Sequence, residues 1–180
     1  MQIFLIGEIF MKTKSFLPSM VLVAFLASPA LSFAYDEQDE KTIRADVAKM
    51  KAATLKHDVK SIMPMMPQAF FDTLSKETNT PISKIKQEML KQGEETARDA
   101  KELNASLDYV IHWKKQRVLK SKTGRDYVLL PTTTRLNGLE IKGNLIAIKE
   151  DDGKWYYLQY QPIFKSVIQK AYPDLKVLPK

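Results

Sequence analysis

The chain has 180 residues, no cysteine and a formal net charge of +7 at pH 7. Without cysteine there are no disulfides, no thiol catalysis and no thiolate metal sites, so packing alone has to stabilise the fold. The basic residues are scattered and do not form a stripe with aromatic residues. We therefore expect a basic, solvated surface and no nucleic-acid partner.

The N-terminal segment has the pattern of a secretory signal peptide. Lys12 and Lys14 precede an apolar run, Phe16–Leu26, and a small-x-small cleavage pattern ends at Ala34. The apolar run is shorter than the roughly 20 residues of a membrane-spanning helix. We predict a signal peptide over residues 1–34, cleavage near Ala34, and a periplasmic or secreted protein with no membrane span.

The start of translation and the domain boundary follow from the same segment. Met11 opens a better positive region than Met1 does, so residues 1–10 are interpreted as an upstream extension. No cysteine follows the apolar run, which excludes a lipid-anchored bacterial lipoprotein. Residues 35–180 have the length of one domain with its own core, and a single domain is predicted there.

The part of the chain from Asp39 to Leu103 has helical periodicity. Ile43, Val47 and Met50 recur at helical spacing and predict the inner face of a first helix. The pair His57-Asp58 is predicted to end this helix, and Asp58 can cap the next one.

Prolines divide the rest of the helical part. Pro64 and Pro67 interrupt a second apolar segment, which predicts two short pieces with Pro67 opening the second. Thr80 is predicted to cap a third helix with Pro81 at its first position, and this helix runs towards Leu103. Its predicted inward-facing residues are Ile82, Ile85, Met89 and Leu90.

From Leu107 to Tyr160 the pattern is that of strands separated by turns. Asn137-Gly138 is the strongest hairpin signal, because both positions tolerate positive φ. Together with turns at 121–124 and 151–153 it predicts a meander of four antiparallel strands. Gly143, inside the third strand, is interpreted as a bulge or sharp bend.

The order of these segments predicts an α+β fold. N-terminal helices are expected to pack on one concave face of a curved four-stranded antiparallel meander. Pro162 opens a last short helix that runs through Ala171.

Two segments resemble bacterial nuclear-transport-factor-two-like proteins. Residues 52–71 (AATLKHDVKSIMPMMPQAFF) resemble the family's segment after the first helix, and residues 145–158 (LIAIKEDDGKWYYL) are similar to its last hairpin. The resemblance covers Asp39 to Lys180. It implies a cone, in which a bent sheet wraps over helices and leaves a pocket at the wide end. Because family members include enzymes, binding modules and dimeric scaffolds, it leaves the function open.

Three residues are weak candidates for catalysis. Histidine is the side chain most often used as a general acid or base near neutral pH. His112 shares a predicted strand face with Asp108, but four residues span about 13 Å along a strand, too far for a direct dyad. Tyr127 or Asp108 could assist His112 in a pocket. His57 is explained by the end of its helix. No catalytic motif of known spacing is present.

Methionines and aromatic residues supply the other candidates. Met63, Met65 and Met66 are weak copper(I) ligand candidates in a periplasmic protein, but methionine also fills gaps in cores. No cofactor or metal is expected. The aromatic residues predict either a ligand or partner surface on the sheet, which includes a homodimer face, or a layer covered by a helix. They are Trp113, Trp155, Tyr156, Tyr157 and Tyr160.

These patterns favour an exported, non-enzymatic domain that binds a protein partner or a small apolar ligand. Two alternatives stay open. One is a small pocket enzyme of the hydrolase or isomerase type that uses His112. The other is an immunity-type inhibitor of a toxin that attacks the cell envelope.

Overall fold

The computed structural model describes residues 35–179. The predicted signal peptide, its extension and its cleavage site lie outside these residues. In the described part, no helix has the length and apolarity needed to cross a membrane. The elements in chain order are α1 (Glu37–Leu55), α2 (Val59–Ile62), a 3₁₀ turn (Met63–Met65), α3 (Gln68–Thr78), α4 (Ile82–Glu102), β1 (Leu107–Ile111), a 3₁₀ turn (Trp113–Lys115), β2 (Arg117–Lys120), β3 (Asp126–Leu136), β4 (Leu139–Lys149), β5 (Trp155–Tyr160), a 3₁₀ turn (Pro162–Phe164) and α5 (Lys165–Ala171).

Helix α1 is closed at both ends by local hydrogen bonds. At its start the Asp36 carboxylate accepts from the Asp39 N–H at 2.8 Å, and the Asp39 carboxylate accepts from the Asp36 N–H at 3.4 Å, which is a capping box. At its end His57 has a φ of +54°, and the N–H groups of His57 and Asp58 bond back into the last turn of the helix. This is a Schellman motif with histidine where glycine is usual. Asp58 caps α2, as predicted.

The prediction of the cap of α4 is wrong by one residue. Pro81 has an extended ψ of 141° and is itself the cap, so the helix begins at Ile82. The Thr80 hydroxyl instead donates to the Thr78 carbonyl at 3.1 Å. Of the predicted inward residues, Ile85 is buried and Ile82 and Met89 pack against its cluster. Leu90 is half-buried and belongs to neither cluster.

The strands form one curved antiparallel sheet in the order β1-β3-β4-β5, and β2 pairs with the other half of the same edge of β3. The predicted Asn137-Gly138 hairpin is confirmed, with φ values of +50° and +83°. The predicted first strand is broken, because the 3₁₀ turn Trp113–Lys115 separates β1 from β2. His112 and Trp113 therefore lie outside the strands.

Of the two interpretations of Gly143, a bulge or a sharp bend, the bulge is wrong. The pairing of β3 with β4 continues without a slip from Tyr127↔Ile148 to Leu136↔Leu139. Gly143 instead gives room to its neighbours, since a Cβ there would lie 2.9 Å from Gln159 Nε2 and 3.1 Å from Thr132 Oγ1.

The α+β class is confirmed, but helices cover both faces of the sheet, not one. Alternate positions of β3 are both apolar: Val128 packs in a cluster with α1, while Leu129 packs in a second cluster with α3, α5 and the first half of α4. A strand that is apolar on both faces needs cover on both. The Met63–Met65 turn contacts β5 and links the two clusters, because Met63 enters one and Met65 the other.

Candidate functional site

An open groove of about 700 Å³ lies between α1, the segment from α2 to the Met63–Met65 turn, and the start of β5. We call it the α1–β5 groove. Its buried lining residues are Ala53 and Trp155, with half-buried Met65 beside them. Exposed lysines also line it, namely Lys49, Lys56 and Lys154. The groove thus combines an apolar floor with a basic rim.

The floor of the groove is held by a buried carboxylate. Asp39 is only 8% exposed, and it accepts from Trp155 Nε1 at 2.9 Å and from Lys149 Nζ at 2.8 Å. Burial opposes ionisation of Asp39, but the hydrogen bonds from Lys149 and Trp155 outweigh it, so the pKa of Asp39 lies below its ordinary value. The indole of Trp155 is therefore fixed in orientation by a charged partner.

The two carboxylates that line the groove are already bonded. Asp46 accepts from the Tyr157 hydroxyl at 3.1 Å and pairs with Lys49 at 3.1 Å. Burial, and then the charge of Asp46, raise the pKa of Tyr157, so its phenol stays protonated and donates. Asp58 accepts from the hydroxyl and the N–H of Ser61, which lower the pKa of Asp58. Of the three rim lysines, Lys49 pairs with Asp46 and Lys154 lies 3.8 Å from Asp152. Lys56 forms no ion pair within residues 35–179, so its charge is the one most available to a ligand.

Three of the predicted surface aromatics are buried. The exposed fractions of Trp155, Tyr157 and Tyr160 are 6%, 1% and 7%. Trp155 and Tyr157 lie under α1, and Tyr160 lies in the cluster on the opposite face. Helices, and not a partner, cover these three rings in the described chain.

The other two predicted aromatics are half-buried. The guanidinium of Arg44 lies 4.4 Å from the centre of the Trp113 ring, a cation–π contact. Tyr156 lines the groove, and its hydroxyl donates to Asp152 at 2.9 Å. Of the predicted surface, Trp155 and Tyr156 belong to the groove.

The structure does not bring the three catalytic candidates together. His112 Nε2 lies 2.8 Å from Thr133 Oγ1, whereas Asp108 pairs with Arg135 at 3.4 Å. Tyr127 is fully buried, and its hydroxyl accepts from the Val177 N–H at 3.1 Å. Tyr127 and Thr133 are six positions apart on β3, about 20 Å. None of the three candidates lines the groove.

The methionine candidates are packed apart. Met63 and Met66 pack against the cluster beneath α3 and α5, and Met65 packs against the cluster beneath α1. Gap filling accounts for all three side chains. Within residues 35–179, no group of three or more His, Cys, Asp or Glu side chains is placed to hold a metal ion.

One spacing pattern in the sequence indicates the groove, although it matches no known motif. Asp46, Lys49, Ala53 and Lys56 follow one another at spacings of three, four and three, which places them on one face of α1. This face lies beside the inner face of Ile43, Val47 and Met50. Its mixed composition is that of an ordinary solvated face, so only the packing of α2 against it marks it as a groove.

Comparisons with known protein families, with characterised proteins and with solved structures find no match for this chain.

Proposed function

We propose that this chain is an exported, non-enzymatic binding domain that holds a small ligand in the α1–β5 groove. The ligand has an apolar body and a negatively charged group. The observation that carries the proposal is the groove itself, with its apolar floor and its lysine rim. Its volume of about 700 Å³ lies in the range of small-molecule sites, roughly 300–1,000 Å³.

The chemistry of the lining supports this ligand class. Trp155, Met65 and Ala53 offer apolar contacts, and the aromatic ring among them has its polar edge already bonded to Asp39. A ligand that contacts the small exposed part of this indole therefore leaves its N–H paired. Lys56 can pair with a carboxylate or phosphate at the mouth of the groove, and the exposed Lys154, which lies 3.8 Å from Asp152, can join it.

The other parts of the proposal rest on the sequence. Export is inferred from the signal pattern over residues 1–34, and the relation to the nuclear-transport-factor-two-like family from the two resembling segments. The enzyme alternative has less support, because the geometry does not join His112 to Asp108 or Tyr127. Thr133, the partner of His112, is only 6% exposed, so it is poorly placed to meet a substrate.

The proposal is tested first by native mass spectrometry of the purified protein. A mass excess that disappears on denaturation is the expected result, and the mass of the released compound identifies the ligand. An Ala52→Phe variant should carry no ligand, because Ala52 is exposed and lines the groove. Ala48→Phe is the matched control, since Ala48 is exposed on the same helix and does not line the groove. Equal ligand loads in the two variants would refute the groove as the site.

A further inference from the structure

A second, smaller recess lies in the C-terminal part of the chain. It has a volume of about 380 Å³ and is formed by α5, the C-terminal segment 172–179 and the turn that contains Lys122. We call it the α5 recess. Three lysines line it, Lys122, Lys165 and Lys176, and no aspartate or glutamate does.

The carboxylates around the recess are taken by other partners. Glu150 pairs with Arg125 at 2.7 Å and also accepts from the Tyr172 hydroxyl. Asp174 accepts from the Thr123 hydroxyl at 2.6 Å and lies 3.9 Å from Arg125. Within residues 35–179, none of the three recess lysines forms an ion pair. Their charges are therefore not neutralised by the described chain.

The recess is held in place by the fold. The Lys122 N–H donates to the Asp174 carbonyl at 2.9 Å, and the Val177 N–H donates to the buried hydroxyl of Tyr127 at 3.1 Å. These two bonds fix the C-terminal segment against the sheet on both sides of Lys176. A ligand would thus meet walls that are already formed, which lowers the ordering cost of binding.

We infer that the α5 recess is a binding site for a phosphate-type dianion. The like charges of three lysines around one recess repel each other, and a dianion bound among them is attracted by all three. Each lysine supplies up to three N–H donors to phosphate oxygens, and the amide of Gln169 adds further donors. This site is separate from the α1–β5 groove and does not depend on its ligand. The dianion can come from a free phosphorylated molecule or from a lipid headgroup.

The test is a ¹H–¹⁵N NMR titration of the purified protein with inorganic phosphate at low salt. We expect saturating shifts of the backbone amides of Lys122, Gln169 and Lys176, with a Kd of about 1 mM or tighter. The double variant Lys165→Gln/Lys176→Gln should weaken binding about tenfold, as expected for the loss of two charged donors that are partly in solvent. Added sodium chloride should weaken it as well, because the lysines are exposed.

The matched control is Lys84→Gln/Lys91→Gln, which removes the same charge from exposed positions of α4. It should bind phosphate as the parent does. Vesicles that contain phosphatidic acid, whose phosphomonoester can carry two negative charges, separate the two sources, with pure phosphatidylcholine vesicles as the blank. Lysine-dependent sedimentation with the anionic vesicles, without a saturating phosphate shift, assigns the site to a lipid headgroup. No saturation and no sedimentation, or an equal loss in the control variant, overturns the inference.

Discussion

Replacement of Asp39 by asparagine should destabilise the whole domain. Asp39 closes the capping box of α1, accepts from Trp155 and pairs with Lys149, and the exposed fractions of the Lys149 and Asp39 side chains are 19% and 11%. The asparagine amide keeps one oxygen as an acceptor but removes the charge, so the ammonium of Lys149 remains largely buried without its partner. The side chain of Asp39 thus joins the first turn of α1 to the end of β4 and the start of β5.

The magnitude follows from burial. Breaking a buried ion pair by removing one partner costs about 3–5 kcal/mol. Lys149 keeps some contact with solvent and the new amide keeps an acceptor for the indole, so we expect a loss at or just below the lower end of that range, about 2–3 kcal/mol at pH 7. The free energy of unfolding is measured by urea denaturation, followed by tryptophan fluorescence.

The effect should depend on pH in one direction. The folded-state pKa of Asp39 is below the ordinary value of 3.8, so its ionisation contributes stability that is fully present above that value. The contribution is lost as the pH falls through the lowered folded-state pKa. The difference between parent and Asp39→Asn should therefore shrink as the pH falls below about 4 and remain constant between about pH 5 and 8.

The control is Glu40→Gln, one position along the same helix. Glu40 pairs with Arg44 at 2.6 Å on the surface, and its loss should cost less than about 1 kcal/mol. A loss below about 0.5 kcal/mol for Asp39→Asn, or a loss equal to that of the control, would show that the buried pair does not hold α1 to the sheet.

Three further substitutions test the backbone and packing arguments through the same unfolding measurement. Gly93→Ala should destabilise by about 1–3 kcal/mol despite the better helix propensity of alanine, because its Cβ would lie 2.3 Å from Val59 Cγ2. In a Val59→Ala background most of that loss of stability should vanish. An equal loss in both backgrounds would exclude the clash. His57→Gly should stabilise by about 0.5–1 kcal/mol, since His57 has a φ of +54°, and a loss of stability would contradict the Schellman assignment. Gly143→Ala should destabilise by about 1 kcal/mol through contact with the Gln159 amide, and Gln159→Ala should relieve part of it; no relief would place the strain elsewhere.

Three local signals in the sequence predict the structure correctly. The Asn137-Gly138 turn, the Asp58 cap and the end of α1 at His57 each depend on a few adjacent residues, and each is confirmed. The bulge predicted at Gly143 is wrong because the role of this residue does not depend on its neighbours in the sequence. Its role is set by the side chains of Gln159 and Thr132 on neighbouring strands. The residues adjacent to Gly143 in the sequence do not indicate that contact.

The candidate site was harder, because it depends on which elements meet. Aromatic residues on both faces of β5 fitted an exposed surface as well as a covered one, and only the path of α1 over Trp155 and Tyr157 decides between them. The alternation of residues predicts His112 on a strand face with Asp108. The strand ends before His112, and the 3₁₀ turn that follows leaves this residue next to Thr133. No proline or glycine lies at that break, so the sequence does not indicate it.

The methionine-rich turn between α2 and α3 has a consequence for how the domain unfolds. Met63 and Met66 fill one hydrophobic cluster while Met65 fills the other, on opposite sides of the sheet. Neither cluster can open far without pulling side chains out of its counterpart. We therefore expect the two halves of the core to unfold as a single cooperative unit, and oxidation of these thioethers to sulfoxides to weaken both faces of the sheet together.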